Sequence, residues 1–399
     1  MRKSSSIGAD AMVTNLPAEA KAKFVKYMEA KTPEEKLKAL EEFLSTVPKH
    51  KGTENLVRWV KRRMAELREE IEEKKKRKSG GGSGGPSFFV EKEGAAQVVI
   101  LGLTKVGKSL FLKTLTNASV EVSDVPYTTK YPAIGMLKYE DIQFQLVESP
   151  AIIPEGGGWN TKVAGLAKNS DGLIIMLDAS RDVEKEFTFI RSFLEDHGIY
   201  IVKPRGYVSV ERSYSGGIRF VYYGKLSCTE EEVIKLLNSY RIYHAIIKVY
   251  GDVDLDSVEK SLFETTVYKP TMVLINKIDV DESGQSYRRA RQVVSKEIPV
   301  IPISTLRRIG LDDVGNLIFK TLDLIRIYTK PPIGKPSNKP LVVKRGATVL
   351  DVAKIIHKDL YENFAYARIW GLSAKYPGQR VGPNHVLEDR DIVEINTKK

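Results

Sequence analysis

No segment constrains this chain more than Gly102-Leu103-Thr104-Lys105-Val106-Gly107-Lys108-Ser109. The apolar, β-branched run Gln97-Val98-Val99-Ile100-Leu101 precedes it, and a helix-compatible stretch opens at Leu110. Strand, glycine-bounded loop and helix in that order make a phosphate cradle. The glycines let backbone N–H groups converge, the lysine reaches terminal phosphates, and the hydroxyl ligates magnesium. Such a loop leaves the carboxyl end of a strand in an open α/β sheet, where ligands bind.

A second buried-strand run, Thr271-Met272-Val273-Leu274-Ile275, delivers Asn276-Lys277-Ile278-Asp279 at its own carboxyl end. An Asp279 carboxylate there can accept two hydrogen bonds, from the N1 and 2-amino groups of guanine. Adenine has neither donor, so the pairing selects GTP and GDP over ATP. Another strand-like run, Pro299-Val300-Ile301-Pro302-Ile303, ends at Ser304, where a base-binding loop would begin.

At 399 residues the chain can hold two to four domains. No run of eighteen apolar residues occurs and the N-terminus has no apolar signal core, so a cytoplasmic protein without membrane contact is expected. Cys228 is the sole cysteine, which excludes an internal disulfide, and five scattered histidines lack metal-ligand spacing. Magnesium brought with the nucleotide is the only metal expected. The net charge of +12 has two readings, an RNA partner or solvated lysines. No internal repeat or sustained heptad argues for an oligomer, so a monomer is the default.

The pattern divides the chain into blocks. Residues 1–78 read as a helical hairpin: Thr32-Pro33-Glu34-Glu35 is a capping box, followed by an apolar stripe at Leu37, Leu40, Phe43, Leu44 and Val47. Leu56, Val57, Val60, Met64, Leu67 and Ile71 form the second stripe. The basic run at Lys74 to Lys78 reads either as an RNA contact or as a solvated helix end. Residues 79–94 read as a flexible linker and a strand leading into the next domain, and 95–197 as the first part of a doubly wound α/β domain. Residues 198–250 change pattern to an α+β insertion, and 251–330 complete the α/β domain. Residues 331–399 form the last block. Arg288-Arg289-Ala290-Arg291 solvates a helix or meets RNA.

These residues resemble the developmentally regulated GTP-binding proteins, in the Obg branch of translation-factor-related GTPases, and most resemble an archaeal member. The resemblance covers nearly the whole chain from about Glu19. It rests on Thr46-Val47-Pro48-Lys49-His50-Lys51-Gly52-Thr53-Glu54, Pro126-Tyr127-Thr128-Thr129-Lys130-Tyr131-Pro132, Gly216-Gly217-Ile218, Arg345-Gly346-Ala347-Thr348 and Ile356-His357-Lys358-Asp359-Leu360. It implies a multidomain α/β protein: a P-loop G domain with a doubly wound, mostly parallel sheet, an N-terminal helical hairpin, a ribosomal-protein-like α+β insertion and a C-terminal β-grasp TGS domain. It also implies ribosome, rRNA or tRNA contact and a regulatory partner protein.

Residue by residue, the resemblance assigns phosphates and nucleotide to Gly102, Leu103, Thr104, Lys105, Val106, Gly107, Lys108, Ser109 and Leu110. It gives magnesium to Ser109, Thr129 and Glu148, and catalysis to Lys108 and Thr129. Thr129, with Thr128 beside it, matches the threonine that senses the terminal phosphate; β-turn hydroxyls are the plainer reading of the pair. Asn276, Lys277 and Asp279 match the guanine motif, and Ser304, Thr305 and Leu306 the loop behind the base.

Two departures stand out. The family's Asp-x-Pro-Gly motif is here Glu148-Ser149-Pro150-Ala151, and Ile152 sits where many GTPases carry a water-orienting glutamine. Ala151 keeps its N–H but loses the freedom of glycine. Slow GTP hydrolysis to GDP and phosphate is therefore expected, with a hydrolysis-deficient GTP-binding scaffold or an RNA-binding factor as alternatives. Lys105 occupies a position where an asparagine can help hold K+. Its ammonium either replaces that ion or faces solvent. In the last block, Tyr361, Phe364, Tyr366 and Trp370 are expected mostly to pack a small core, beside Lys335, Lys339, Lys344, Arg345, Lys354 and Lys358.

Overall fold

The computed structural model describes residues 16–48, 53–79, 88–116, 118, 131–154, 159–203, 206–213, 215–263, 267–281 and 283–398. Along the chain run α1 (Ala18–Glu29), α2 (Pro33–Thr46), α3 (Glu54–Ser79), β1 (Ala96–Leu101), α4 (Lys108–Leu115), β2 (Ala133–Tyr139), β3 (Ile142–Glu148), α5 (Asn160–Asn169), β4 (Gly172–Asp178) and α6 (Val183–Asp196). Next come β5 (Ile199–Tyr200), β6 (Gly206–Arg212), β7 (Ile218–Leu226), α7 (Glu230–Ser239), β8 (Ala245–Val253), α8 (Leu255–Phe263), β9 (Val267–Tyr268) and β10 (Thr271–Asn276). The chain ends with α9 (Gln285–Val293), β11 (Val300–Pro302), α10 (Val314–Thr321), β12 (Leu324–Thr329), β13 (Leu341–Lys344), α11 (Val349–Ile356), α12 (Lys358–Glu362), β14 (Phe364–Trp370), β15 (Gln379–Val381) and β16 (Asp391–Thr397). Two compact units emerge, one from residues 1–86 and 193–268, the other from 87–192 and 269–399.

In the first unit, α1 to α3 and the sheet β6-β8-β7 share one hydrophobic core. Phe24 of α1 is central, with ring centroids 4.6 Å from Phe263, 5.3 Å from Phe43 and 6.0 Å from Tyr240. The expected hairpin thus has a third helix before it. Only Ala20, Phe24 and Val25 of α1 are buried, a stripe too short to declare itself in sequence. Thr32 caps α2 as its sequence implies, accepting from Glu35 N at 3.2 Å, and Thr229 caps α7 in the same way. The expected insertion boundary at 250 falls inside β8. That strand pairs with β7 through Val253, and the α/β pattern resumes only after β9.

The second unit is built on a six-stranded sheet in the order β11-β10-β4-β1-β3-β2. Its strands are parallel except β2, which pairs antiparallel with β3. Every residue of β1, β4 and β10 is buried, as near-continuous apolar runs in a doubly covered sheet require. Val98, Ile100, Ile174 and Met176 pack on one face with Phe111 and Leu112 of α4 and with Ile318 and Phe319 of α10. Chain order leaves β1 toward β2 and β3 on one side, and β4 toward β10 on the other. The switch point therefore falls between β1 and β4, at the end of the Gly102 loop.

A second sheet, β13-β12-β16-β14-β15, closes this unit, with α11 packed on one face through Val349 and Val352. β12 belongs here, parallel to β16, so the boundary expected at 330/331 comes after the sheet's first strand. The apolar run of β12 cannot by sequence choose between two sheets. No strand forms over 88–93 either; Gly94 makes one bridge to Phe144, and its φ of +73 favours glycine. Of the expected core aromatics, Phe364 packs half-buried against the core, whereas Tyr366 and Trp370 are half-buried and Tyr361 is exposed. Along β14, Ala367 and Ile369 take the core face, so the period of two turns Tyr366 and Trp370 outward. There Arg380 lies 3.9 Å over the Tyr366 ring, and Lys330 5.0 Å over that of Trp370. No helix among the described residues is long and apolar enough to cross a membrane.

Candidate nucleotide site

β1 delivers the Gly102 loop and α4 begins at Lys108. Both glycines answer close approaches: a Cβ on Gly102 would lie 2.7 Å from Met176 O, and one on Gly107 2.4 Å from Asn276 Nδ2, at a φ of +97. The side chain of Lys108 folds back, donating to Gly102 O at 3.0 Å and Leu103 O at 2.9 Å. Burial pushes this ammonium down to about 8, against the opposing pull of Glu148 and Glu186.

β3 ends at Glu148, a buried residue whose Oε1 accepts from Ser109 Oγ at 2.6 Å. The longer glutamate thus reaches the hydroxyl at the start of α4. Two hard oxygen donors side by side suit Mg2+. Beyond them Ala151 and Ile152 are buried. Trp159 Nε1 donates to Ala151 O at 3.0 Å, and Asn160 brackets Ile153, accepting from its N at 3.1 Å and donating to its O at 2.9 Å.

The guanine motif folds at the end of β10. Asn276 Nδ2 donates to Val106 O at 2.9 Å, and its Oδ1 accepts from the backbone N and hydroxyl of Thr305, each at 2.9 Å. One amide thereby ties the phosphate loop to the base-side loop. Lys277, at a φ of 65, donates to Lys105 O at 2.8 Å and to Asp178 Oδ2 at 2.6 Å. Asp279 accepts from Ser304 Oγ through Oδ1.

Lys108, Ser109, Glu148, Asn276, Lys277, Asp279, Ser304 and Thr305 are therefore brought into one bonded site. The side chains of Lys105 and Leu306 are exposed, Leu306 to 72%. Thr128 and Thr129 lie outside the described residues, as do 80–87 of the linker.

Sequence reasoning missed Asp178, Arg181 and Glu186. Asp178 is buried at the tip of β4; burial raises its pKa, yet hydrogen bonds from Lys277 and Ser180 hold it below the ordinary value. Glu186 accepts from Asp178 N at 3.1 Å and pairs with Arg181 at 3.2 Å, and burial pushes its carboxyl up. The available signal was the position of Asp178 itself: an acid closing an apolar run lands at the carboxyl edge of the sheet.

A doubly wound sheet with a phosphate loop at its switch point and an Asn-Lys-x-Asp turn two strands away defines a P-loop GTP-binding protein. The family described as 50S ribosome-binding GTPase matches residues 97–204, the C-terminal region of that domain matches 215–324, and the TGS domain matches 325–397. An uncharacterized GTP-binding protein of Methanocaldococcus jannaschii is 35% identical over 373 residues, covering 92% of this chain and 93% of that one. Developmentally-regulated GTP-binding protein 2 of Homo sapiens is 31% identical over 369 residues, covering 91% and 99%. The chain belongs to the family of developmentally regulated GTP-binding proteins.

Proposed function

We propose that the protein is a slow GTPase switch that hydrolyses GTP to GDP and phosphate, and whose helical, inserted and TGS modules report the nucleotide state to ribosomal RNA or a protein partner. The observation that carries this reading is the contact of Ser109 with Glu148. On that reading it keeps a carboxylate where the magnesium would sit, although the motif has lost its aspartate. In this reading Ser109, Glu148 and Thr129 hold Mg2+, which neutralises charge on the β- and γ-phosphates. Lys108 swings from the Gly102 and Leu103 carbonyls to the terminal phosphates, while Asp279 reads the base and Asn276 and Thr305 brace its loop. Ile152 offers no group to orient water, so turnover is slow without a partner.

Support for the ribosomal partner comes from the family description and from the net charge of +12. A second reading, a GTP-binding scaffold without hydrolysis, is favoured by the pinned Ala151 carbonyl and buried Ile152. Single-turnover GTP hydrolysis, on the parent and on a Glu148→Asp/Ala151→Gly variant, separates the two. Parent turnover that ribosomes accelerate upholds the switch; activity only in the variant upholds the scaffold.

A further inference from the structure

All five consecutive carbonyls from Gly102 to Val106 accept a side-chain donor. Lys108 serves Gly102 and Leu103, Lys277 serves Lys105 and Asn276 serves Val106. The remaining carbonyl, on Thr104, accepts from Arg181 Nη1 at 3.0 Å. Peptide units whose carbonyls are held by donors on one side present their N–H groups to the other, which is how a backbone concavity binds anions. When the Lys108 ammonium is drawn to phosphate, three side-chain donors remain to hold the loop, and Arg181 is one of them.

We infer that Arg181 is a positioning residue for the phosphate loop, acting through the Thr104 peptide; the inference rests on the phosphate-binding reading of that loop. Its guanidinium is held in turn by Glu186 at 3.2 Å and by Asp178 at 3.5 Å. Asp178 also holds Lys277 at 2.6 Å. One buried carboxylate therefore anchors the two cations that grip successive carbonyls, Thr104 and Lys105. A planar guanidinium suits the task because it can reach two carboxylates and a carbonyl at once, whereas an ammonium at this place would keep charge but lose the fork. Glu186 also accepts the Asp178 backbone N–H, which ties it to the tip of β4.

The test compares parent, Arg181→Gln and Arg181→Lys for GDP and GTP release with magnesium present, for the ratio of GDP to IDP affinity, and for apo melting temperature. IDP lacks the 2-amino group, so the ratio reports the base side alone. The inference expects Arg181→Gln to speed release of both nucleotides about tenfold, a charged hydrogen bond's worth, with Arg181→Lys in between. The GDP to IDP ratio should stay at the parent value, which a general loosening of the fold would not allow, although the apo melting temperature of Arg181→Gln should fall because Asp178 and Glu186 lose a cation. Unchanged release in both variants overturns the inference and leaves the GTP-binding reading intact. A parent that holds neither nucleotide overturns both. If Arg181→Gln does not fold, Arg181→Lys decides: faster release at an unchanged ratio supports the role, and parent-like release overturns it.

Discussion

Ser109 Oγ donates to Glu148 Oε1 at 2.6 Å, joining the first turn of α4 to the tip of β3. The bond links the end of the phosphate loop to the altered switch motif. Replacing Glu148 by Gln keeps an acceptor for Ser109 but removes the charge. Apparent Mg2+ affinity in the presence of GDP should fall at least about tenfold, while GDP affinity with EDTA present stays at the parent level. Magnesium titration of nucleotide release checks this; an unchanged magnesium dependence would place the ion elsewhere.

Asp279 accepts from Ser304 on one side, which orients its carboxylate. Asp279→Asn exchanges one acceptor oxygen for an NH2 donor, which opposes the guanine 2-amino group and suits the C2 carbonyl of xanthine. GDP affinity should drop by about a hundredfold or more and XDP affinity should rise, both measurable by calorimetry.

The pH dependence follows from Lys108, whose folded pKa, lowered by burial to about 8, lies below the ordinary lysine value of 10.5. Between those values the unfolded chain binds more protons, so apo stability rises with pH from about 8 toward 10.5. Lys108→Met removes this, and the melting temperature of the parent relative to the variant should climb across that window. Polyphosphate favours the charged lysine, so GDP binding should take up protons near pH 8.5, seen as a calorimetric heat that varies with buffer ionisation enthalpy.

Arg326 of β12 is buried against Asp389, Glu140 and Asp141, and so clasps the turn between β2 and β3. Its Nη2 lies 2.7 Å from Asp389 Oδ2, and its guanidinium stands 5.0 Å over the Phe319 ring. Removing the cation leaves several carboxylates together, so Arg326→Met should destabilise the second unit by about 3 kcal/mol. Glu140 is far more exposed, and Glu140→Gln should cost under about 1 kcal/mol. Denaturant melts of the two variants give the comparison; equal effects would reject the buried clasp.

Phe24 is fully buried among rings from α2, α3, α7's end and α8. Phe24→Ala should cost the first unit about 3–5 kcal/mol, read from chemical denaturation, with GDP affinity unchanged.

Much of the site was legible because its motifs are contiguous. Gly102 to Ser109 and Asn276 to Asp279 each carry their own strand and turn, and the glycines declare the close approaches that the structure shows at Met176 and Asn276. Arg181 was not legible, since its role depends on a carbonyl 77 residues away and has no local pattern. Nor was β12, whose apolar run suits either sheet until β16 pairs with it.

By itself, then, the sequence pointed to a guanine-nucleotide-binding protein, the helix cap at Thr32 and the order of modules, because these are read from residues a few positions apart. Only the tertiary structure decided that α1, α2 and α3 share a core with the insertion, that β12 joins the final sheet, and that Asp178 serves both Lys277 and Arg181. Those choices come from burial and charge pairing between distant segments. Such free energies depend on which surfaces meet in space, and no short window of sequence contains them.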